Sequence, residues 1–130
     1  MKRIALAVLA VFVAWSVMDF LIHGVILSSS YEATASLWRP MEEMNMSVMY
    51  LSVLISAGAF TLIYSRLVAK KGLAVGLTYG LLFGVATGVS MGFGSYAVMP
   101  IPLHMAFTWF LGSVIEAAVG GVIVGWVIRE

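Results

Sequence analysis

The chain has 130 residues, of which 62% are hydrophobic and 10% charged, with a net charge of +1 and no cysteine. A soluble domain is typically about 45–50% apolar and 25% charged, so this chain is too apolar to bury its own hydrophobic surface, and lipid must act as its solvent. The charge balance excludes a basic surface for nucleic acid, and the lack of cysteine excludes disulfides, thiolate metal sites and thiol nucleophiles. The apolar runs are continuous rather than alternating, which excludes a membrane β-barrel and leaves a bundle of helices.

Four apolar segments follow one another, at residues 4–27, 44–64, 72–98 and 103–128. Each has about the 20 residues that a spanning helix needs. We therefore predict an all-α protein with a single domain, a four-transmembrane-helix bundle of up-down topology. The first segment resembles a secretory signal, but it is longer than the ~7–15-residue apolar core of a signal peptide and carries Asp19 and His23, so we interpret it as a spanning helix. The third segment is longer than the bilayer requires, so we expect it to tilt or bend.

The connecting segments predict an orientation in the membrane. Basic residues of short loops favour the cytoplasmic side, and only Arg39 falls on the opposite side from the other basic residues. Both termini and the turn after the second helix are therefore predicted to be cytoplasmic, in a bacterial plasma membrane. In the outward loop, residues 31–38 are predicted to form an interfacial helical turn capped by Ser29 or Ser30. The basic residues on the predicted cytoplasmic side are Lys2, Arg3, Arg66, Lys70, Lys71 and Arg129.

Glycine occurs at every fourth position of the third segment. Because glycine has no side chain, a second helix can approach such a ridge to backbone contact. The fourth segment offers small residues in return, so the ridge predicts close packing of these two helices within one chain. Contact with another copy or another protein, and a cofactor or pore against the bare backbone, are the alternatives. The ridge consists of Gly72, Gly76, Gly80, Gly84, Gly88 and Gly92.

A second pattern predicts an outward-facing polar site. Asp19 and His23 are four residues apart and share a face of an α-helix, and His104 enters the fourth helix at a similar predicted height. The first and last helices of an up-down bundle are usually neighbours, so we expect the three side chains to converge. Two histidines from two helices suit a haem iron or, with Asp19, a metal ion, and a His–Asp pair also suits quinone binding or proton relay. The alternative is that Asp19 and His23 pair with each other, or with Tyr and Ser neighbours, and only stabilise the bundle.

Methionine and glutamate side chains cluster at the start of the second helix. Met41, Met44, Glu42 and Glu43 lie at the same predicted surface as the histidines. Thioether sulfur is a soft ligand that suits Cu(I), so these residues extend the predicted metal site. The alternative is that methionine simply fills space in apolar helices.

Glu116 is the deepest predicted charge, near the middle of the fourth helix. A charged group at the membrane centre costs at least about 2.5–3.5 kcal/mol, which makes it a candidate for function. Twelve residues separate it from His104, which places it about 120° away around an α-helix, so we predict that it lies outside the outward site. It is expected to act in proton- or cation-coupled transport, or to form a structural hydrogen bond to Tyr79, Thr87, Ser90 or another polar neighbour.

The order of these features resembles that of small bacterial four-helix membrane proteins known as a family of unknown function. The resemblance lies in the architecture: an early apolar helix with a polar outward loop, a glycine-rich third helix, and a fourth ending in the glycines and tryptophan of residues 121–126. It implies a plasma-membrane location and supplies no functional residues.

Three functions remain open from the sequence. The preferred one is a binding or accessory subunit with a metal, haem or quinone site at His23, His104 and Asp19, rather than an enzyme. The second is a proton-coupled transporter of a small molecule or ion that works as a homodimer through Glu116. The third is a structural anchor that packs its glycine ridge on a larger membrane complex.

Overall fold

The computed structural model describes residues 1–129, which contain helices and no strands. Four helices are long and apolar enough to cross a membrane. We label the five helices in chain order, the second being a short one in the loop after the first. They are α1 (Lys2–Ile26), α2 (Ser28–Ala33), α3 (Met46–Leu67), α4 (Leu73–Val98) and α5 (Leu103–Val127).

The ends of the helices follow from local chemistry. Asn45 caps α3, because its side-chain oxygen accepts a hydrogen bond from the Val48 backbone N–H at 3.1 Å. The second helix therefore begins at Met46 instead of the predicted residue 44. Pro102 lies just before α5 in an extended conformation. Proline has no backbone N–H, which is tolerated at the start of a helix because an N–H there would have no partner within the helix.

Two of the long helices contain a π-helical segment near the same end of the bundle. In α1 it covers Phe20–Ile26, and in α4 it covers Ser90–Gly94. Such segments shift the backbone bonding from i−4 to i−5 and are frequent at functional sites. The one in α1 begins directly after Asp19, and His23 within it stays close enough to Asp19 for the carboxyl charge to act on it.

The bundle has two distinct ends. At one end Arg3 donates a hydrogen bond from Nη1 to the Arg129 carbonyl oxygen at 3.5 Å, so the start of α1 and the end of α5 meet there, and we call it the terminal end. The other end carries α2, the rest of the loop up to α3 and the turn before α5, and we call it the loop end. The loop forms α2 at Ser28–Ala33 and a 3₁₀ turn at Ala35–Leu37, so the predicted helical turn begins earlier in the chain.

Helix α5 is the central element of the bundle. Its α1 and α4 neighbours run antiparallel to it, and α3 packs on α1. The aromatic rings of α3 and α4 also meet, with Phe60 and Tyr79 centroids 4.6 Å apart. The core between α1, α3 and α5 is apolar and closed. It consists of Ala7, Val11, Trp15, Ala57, Phe60, Tyr64, Ala117, Val124 and Ile128.

The glycine ridge of α4 lies against the backbone of α5. A Cβ placed on Gly76 would lie 2.2 Å from the Gly121 carbonyl oxygen, and one on Gly80 would lie 2.2 Å from the Ala117 carbonyl oxygen. Gly84, Gly88 and Gly92 meet the same helix further along. These are the contacts that packing within one chain requires.

Gly72 differs from the other members of the ridge. It precedes α4 with a φ of 146°, in the left-handed region that L-residues with side chains rarely adopt. The buried Tyr64 hydroxyl donates to the Gly72 carbonyl oxygen at 3.2 Å and accepts from its N–H at 3.0 Å. Gly72 is therefore the residue of the α3–α4 turn, and its carbonyl group still touches Gly125 of α5.

Candidate functional site

Two glycines of α5 create room for α1 on either side of Glu116. A Cβ on Gly120 would lie 3.0 Å from the Trp15 ring, and one on Gly112 would lie 2.9 Å from the Ile22 Cδ1 atom. The Trp15 indole Nε1 donates to the Glu116 backbone carbonyl oxygen at 2.6 Å. The α1 residues on this face therefore follow α5 in antiparallel order, which places Asp19 opposite Glu116.

The carboxyl groups of Asp19 and Glu116 lie close enough to interact with each other, and we call them the carboxyl pair. Two ionised carboxylates can only accept hydrogen bonds, so a hydrogen bond between the two acids requires a proton on one of them. Glu116 Oε1 is buried, and no hydrogen-bond partner within residues 1–129 reaches it. A single proton held between the two acids would remove the repulsion of two negative charges at this place.

Of the partners expected for Glu116, Tyr79 and Thr87 bond elsewhere, and Asp19 is the polar neighbour beside it. Tyr79 donates to the Phe60 carbonyl oxygen at 2.6 Å, and Thr87 donates to the Phe83 carbonyl oxygen at 2.9 Å. The expected separation of Glu116 from all of the outward site is wrong for Asp19, although not for the histidines. The angle of about 120° separates Glu116 from His104 on α5 alone, whereas α1 reaches Glu116 directly between the two glycines.

Two further hydroxyl groups are buried near the carboxyl pair without a hydrogen-bond partner among residues 1–129. They are Ser16 Oγ and Thr61 Oγ1. Trp15 contacts both Glu116 and Phe60, and Ser16 and Thr61 are the chain neighbours of Trp15 and Phe60. The three unpartnered oxygens of α1, α3 and α5 thus lie at about the same level of the bundle. Buried polar atoms usually have a hydrogen-bond partner, so three such atoms without one are expected to lower the stability of the fold at this level.

The two histidines lie at the loop end and are bound to adjacent residues of α2. His23 Nδ1 lies 2.6 Å from the Tyr31 hydroxyl, and His104 Nε2 lies 2.7 Å from Ser30 Oγ. Trp109 Nε1 donates to the same Tyr31 oxygen at 2.8 Å. The Tyr31 hydroxyl hydrogen is then available to the His23 Nδ1 atom, which assigns the proton of neutral His23 to Nε2.

The ring of Tyr31 is the centre of the loop-end contacts. It packs edge-on against Trp38 with centroids 5.3 Å apart, and Trp38 packs on Trp109 at 5.9 Å. Burial raises the pKa of the Tyr31 hydroxyl, the Trp109 hydrogen bond lowers it, and the nearby Asp19 carboxyl raises it further, with a net upward shift. The hydroxyl is therefore protonated at neutral pH and can act as the hydrogen-bond donor to His23.

The predicted metal ligands do not form a three-ligand group. Among residues 1–129, no three His, Asp or Glu side chains lie close enough to hold one metal ion. Glu42 and Glu43 lie in an exposed 3₁₀ turn, Met41–Glu43, and Met44 after them is also exposed. Metal, haem or quinone binding at His23, His104 and Asp19 stays a prediction, as does the role of Met41 and Met44 with copper.

The pairing of Asp19 with Glu116 is the feature that sequence reasoning missed. The signal in the sequence is the glycine at each of positions 112 and 120, four residues on either side of Glu116, which leaves the room that α1 occupies. Comparison with protein-family models, with curated proteins and with solved structures finds no match for this chain.

Proposed function

We propose that the chain is a small integral membrane protein that transports a small molecule or ion in exchange for protons bound at the carboxyl pair. The observation that carries this proposal is that Asp19 and Glu116 face each other where α1 packs on α5, on two helices long and apolar enough to cross a membrane. Ionisable groups at membrane depth are costly, and they typically mark ion or proton pathways.

The chemistry of the pair favours alternation between a proton and a cation. With one proton the two acids carry a single negative charge and a hydrogen bond. Without it, two negative charges face each other in a poorly solvated place, which is unfavourable unless a cation arrives. Loss of the proton and arrival of a cationic substrate are thus coupled through the same two side chains. A homo-oligomer in a bacterial plasma membrane, with the terminal end in the cytoplasm, is part of the proposal.

The variant Glu116→Gln tests the proposal. The amide keeps the size of the side chain and can hydrogen-bond to Asp19, but it cannot bind and release a proton, so we expect coupled flux to be lost. The purified chain is reconstituted in liposomes that contain a pH-sensitive dye, and proton movement is driven by gradients of Na⁺, K⁺ or tetraphenylphosphonium.

The matched control for this experiment is Glu32→Gln, which changes an exposed carboxyl of α2 and should leave flux unchanged. Circular dichroism and gel filtration check that each variant is folded. Wild-type liposomes that move no protons under any of the three gradients, or a Glu116→Gln variant as active as wild type, would refute transport through this pair.

Binding of a ligand at the two histidines remains the second candidate, because α2 connects them through neighbouring residues. His23 bonds to Tyr31 and His104 bonds to Ser30. If one ligand binds to both histidines, His23→Ala and His104→Ala should each abolish its binding. Transport through the carboxyl pair does not require His104. The His104→Ala variant therefore distinguishes transport from ligand binding.

A further inference from the structure

The carboxyl pair has different surroundings toward the two ends of the bundle. Toward the loop end, His23 follows Asp19 by four residues and is exposed, and Asp19 is close enough for its charge to act on both His23 and Tyr31. His23 in turn bonds to the Tyr31 hydroxyl at 2.6 Å. A series of groups that can accept and donate protons therefore leads from the pair to the loop end.

Toward the terminal end the pair meets a closed apolar layer. Trp15 lies directly below it, with 8% of its surface exposed, and Phe60, Val11 and Tyr64 continue the layer with 0% exposed. The Trp15 N–H is already committed to the Glu116 carbonyl oxygen, and the Tyr64 hydroxyl is committed to Gly72. Such packing contains few voids that could hold water, so it offers no comparable route for a proton.

We propose that the carboxyl pair exchanges its proton with the loop end of the bundle through the imidazole of His23. This inference rests on the proposed function and identifies the side from which the pair is loaded. At the loop end a hydronium ion gives its proton to Nδ1 of neutral His23 and leaves as water, the Tyr31 hydroxyl turns from donor to acceptor at that atom, and His23 becomes an imidazolium. The imidazolium then gives one N–H proton to a carboxylate oxygen of Asp19, an O–H bond forms, and His23 returns to the neutral state. Release runs through the same steps in reverse.

The titratable groups around this route come from three helices. They are Asp19 and His23 of α1, Glu116 of α5 and Tyr31 of α2, whereas Phe60 and Thr61, the α3 side chains next to Trp15 in the apolar layer, do not titrate. Ile22 fills the space beside Gly112, so the route runs along the His23 side of α1. His104 lies off the route, because its Nε2 atom faces Ser30 and its position on α5 is about 120° from Glu116.

The experiment measures how fast the carboxyl pair gains a proton. The full chain in lipid nanodiscs is given a rapid pH drop by photolysis of a caged proton, and the C=O band of the protonated carboxyl is followed by infrared spectroscopy. Asp19→Asn and Glu116→Gln assign the band. In His23→Gln, the side-chain oxygen still accepts from Tyr31 but cannot carry a proton, and we expect protonation to slow about 100-fold. The final amplitude should be unchanged.

The matched control is His104→Gln, which changes the other loop-end histidine and should leave the rate at the wild-type value. Added imidazole should restore the rate in a His23→Ala variant, a rescue that a merely structural role for His23 would not show. A His23→Gln rate equal to wild type, equal slowing in both histidine variants, or no rescue by imidazole would overturn the inference.

Failure of this inference is distinguishable from failure of the proposed function. Wild-type flux in liposomes with an unchanged His23→Gln rate would leave transport standing and remove the relay. A His23-dependent rate in nanodiscs with no flux in liposomes would establish the relay and remove transport.

Discussion

Three buried side-chain oxygen atoms without hydrogen-bond partners are an unusual feature of this bundle. Glu116 Oε1, Ser16 Oγ and Thr61 Oγ1 are buried without a donor or acceptor among residues 1–129. A buried hydroxyl without a partner costs about 1–3 kcal/mol. A chain under selection for stability alone would favour an apolar side chain at such a place, so retention of these atoms favours a role in binding water, protons or substrate.

The variant Thr61→Val tests that cost at one residue. Thr61 is 0% exposed, and valine keeps its branched shape while removing the unpartnered hydroxyl, so we expect the free energy of unfolding to rise by about 1 kcal/mol. Unfolding in mixed detergent micelles, followed by circular dichroism, measures the change. Thr87→Val is the matched control: Thr87 is exposed and bonded to the Phe83 carbonyl oxygen, and the change there should stay within about 0.5 kcal/mol. A destabilised Thr61→Val protein would show that the hydroxyl has a partner.

At the residue scale, the sequence predicted which side chains matter better than it predicted how they meet. Depth alone identified Asp19 and Glu116, because a charge within an apolar run is costly wherever it points. Their pairing depends on which face of α1 meets α5, and the π-helical segment at Phe20–Ile26 changes that face locally. Nothing in the pattern of apolar residues predicted this segment.

The helices themselves follow closely from composition. The predicted bounds of the long helices lie within three residues of the observed ones, because prolines, Asn45 and the charged turns mark the ends. The packing of α4 on α5 follows from the glycine ridge, since a helix without side chains on one face can approach a neighbour's backbone. The same ridge carries no information about α3, which meets α4 through large aromatic rings such as Phe60 and Tyr79.

The variant Gly80→Ala tests the close approach of α4 and α5. The added Cβ would lie 2.2 Å from the Ala117 carbonyl oxygen, and backbone atoms cannot move aside cheaply, so we expect a loss of about 1–3 kcal/mol in the free energy of unfolding. Detergent unfolding measured by circular dichroism reports the loss. Gly58→Ala is the matched control in α3, where a Cβ would meet nothing within 4 Å, and the better helix propensity of alanine should stabilise by up to about 1 kcal/mol. Equal effects of the two substitutions would contradict the backbone contact.

At the scale of the whole molecule, the two ends of the bundle differ in charge and in packing. The terminal end carries the start of α1, the end of α5, the Lys70 and Lys71 turn and few polar side chains toward the core. The loop end carries the histidines, the aromatic rings around Tyr31 and the acidic Glu42 and Glu43. Basic residues favour the cytoplasmic side, so the charge difference predicts that the loop end, and with it the entry to the carboxyl pair, faces away from the cytoplasm.

Single cysteine variants test this orientation, and no native thiol can be labelled besides the introduced one, because the chain contains no cysteine. Ser36→Cys places a thiol in the exposed loop and Lys70→Cys places one in the α3–α4 turn at the terminal end. With a membrane-impermeant maleimide on intact cells, we expect Ser36→Cys to be labelled at once and Lys70→Cys only after the membrane is opened. The physical reason is the excess of Lys and Arg at the terminal end, which resists transfer across the bilayer during insertion. The reverse labelling would mean that the carboxyl pair is loaded from the cytoplasm, whereas labelling of both thiols on intact cells would indicate a dual orientation.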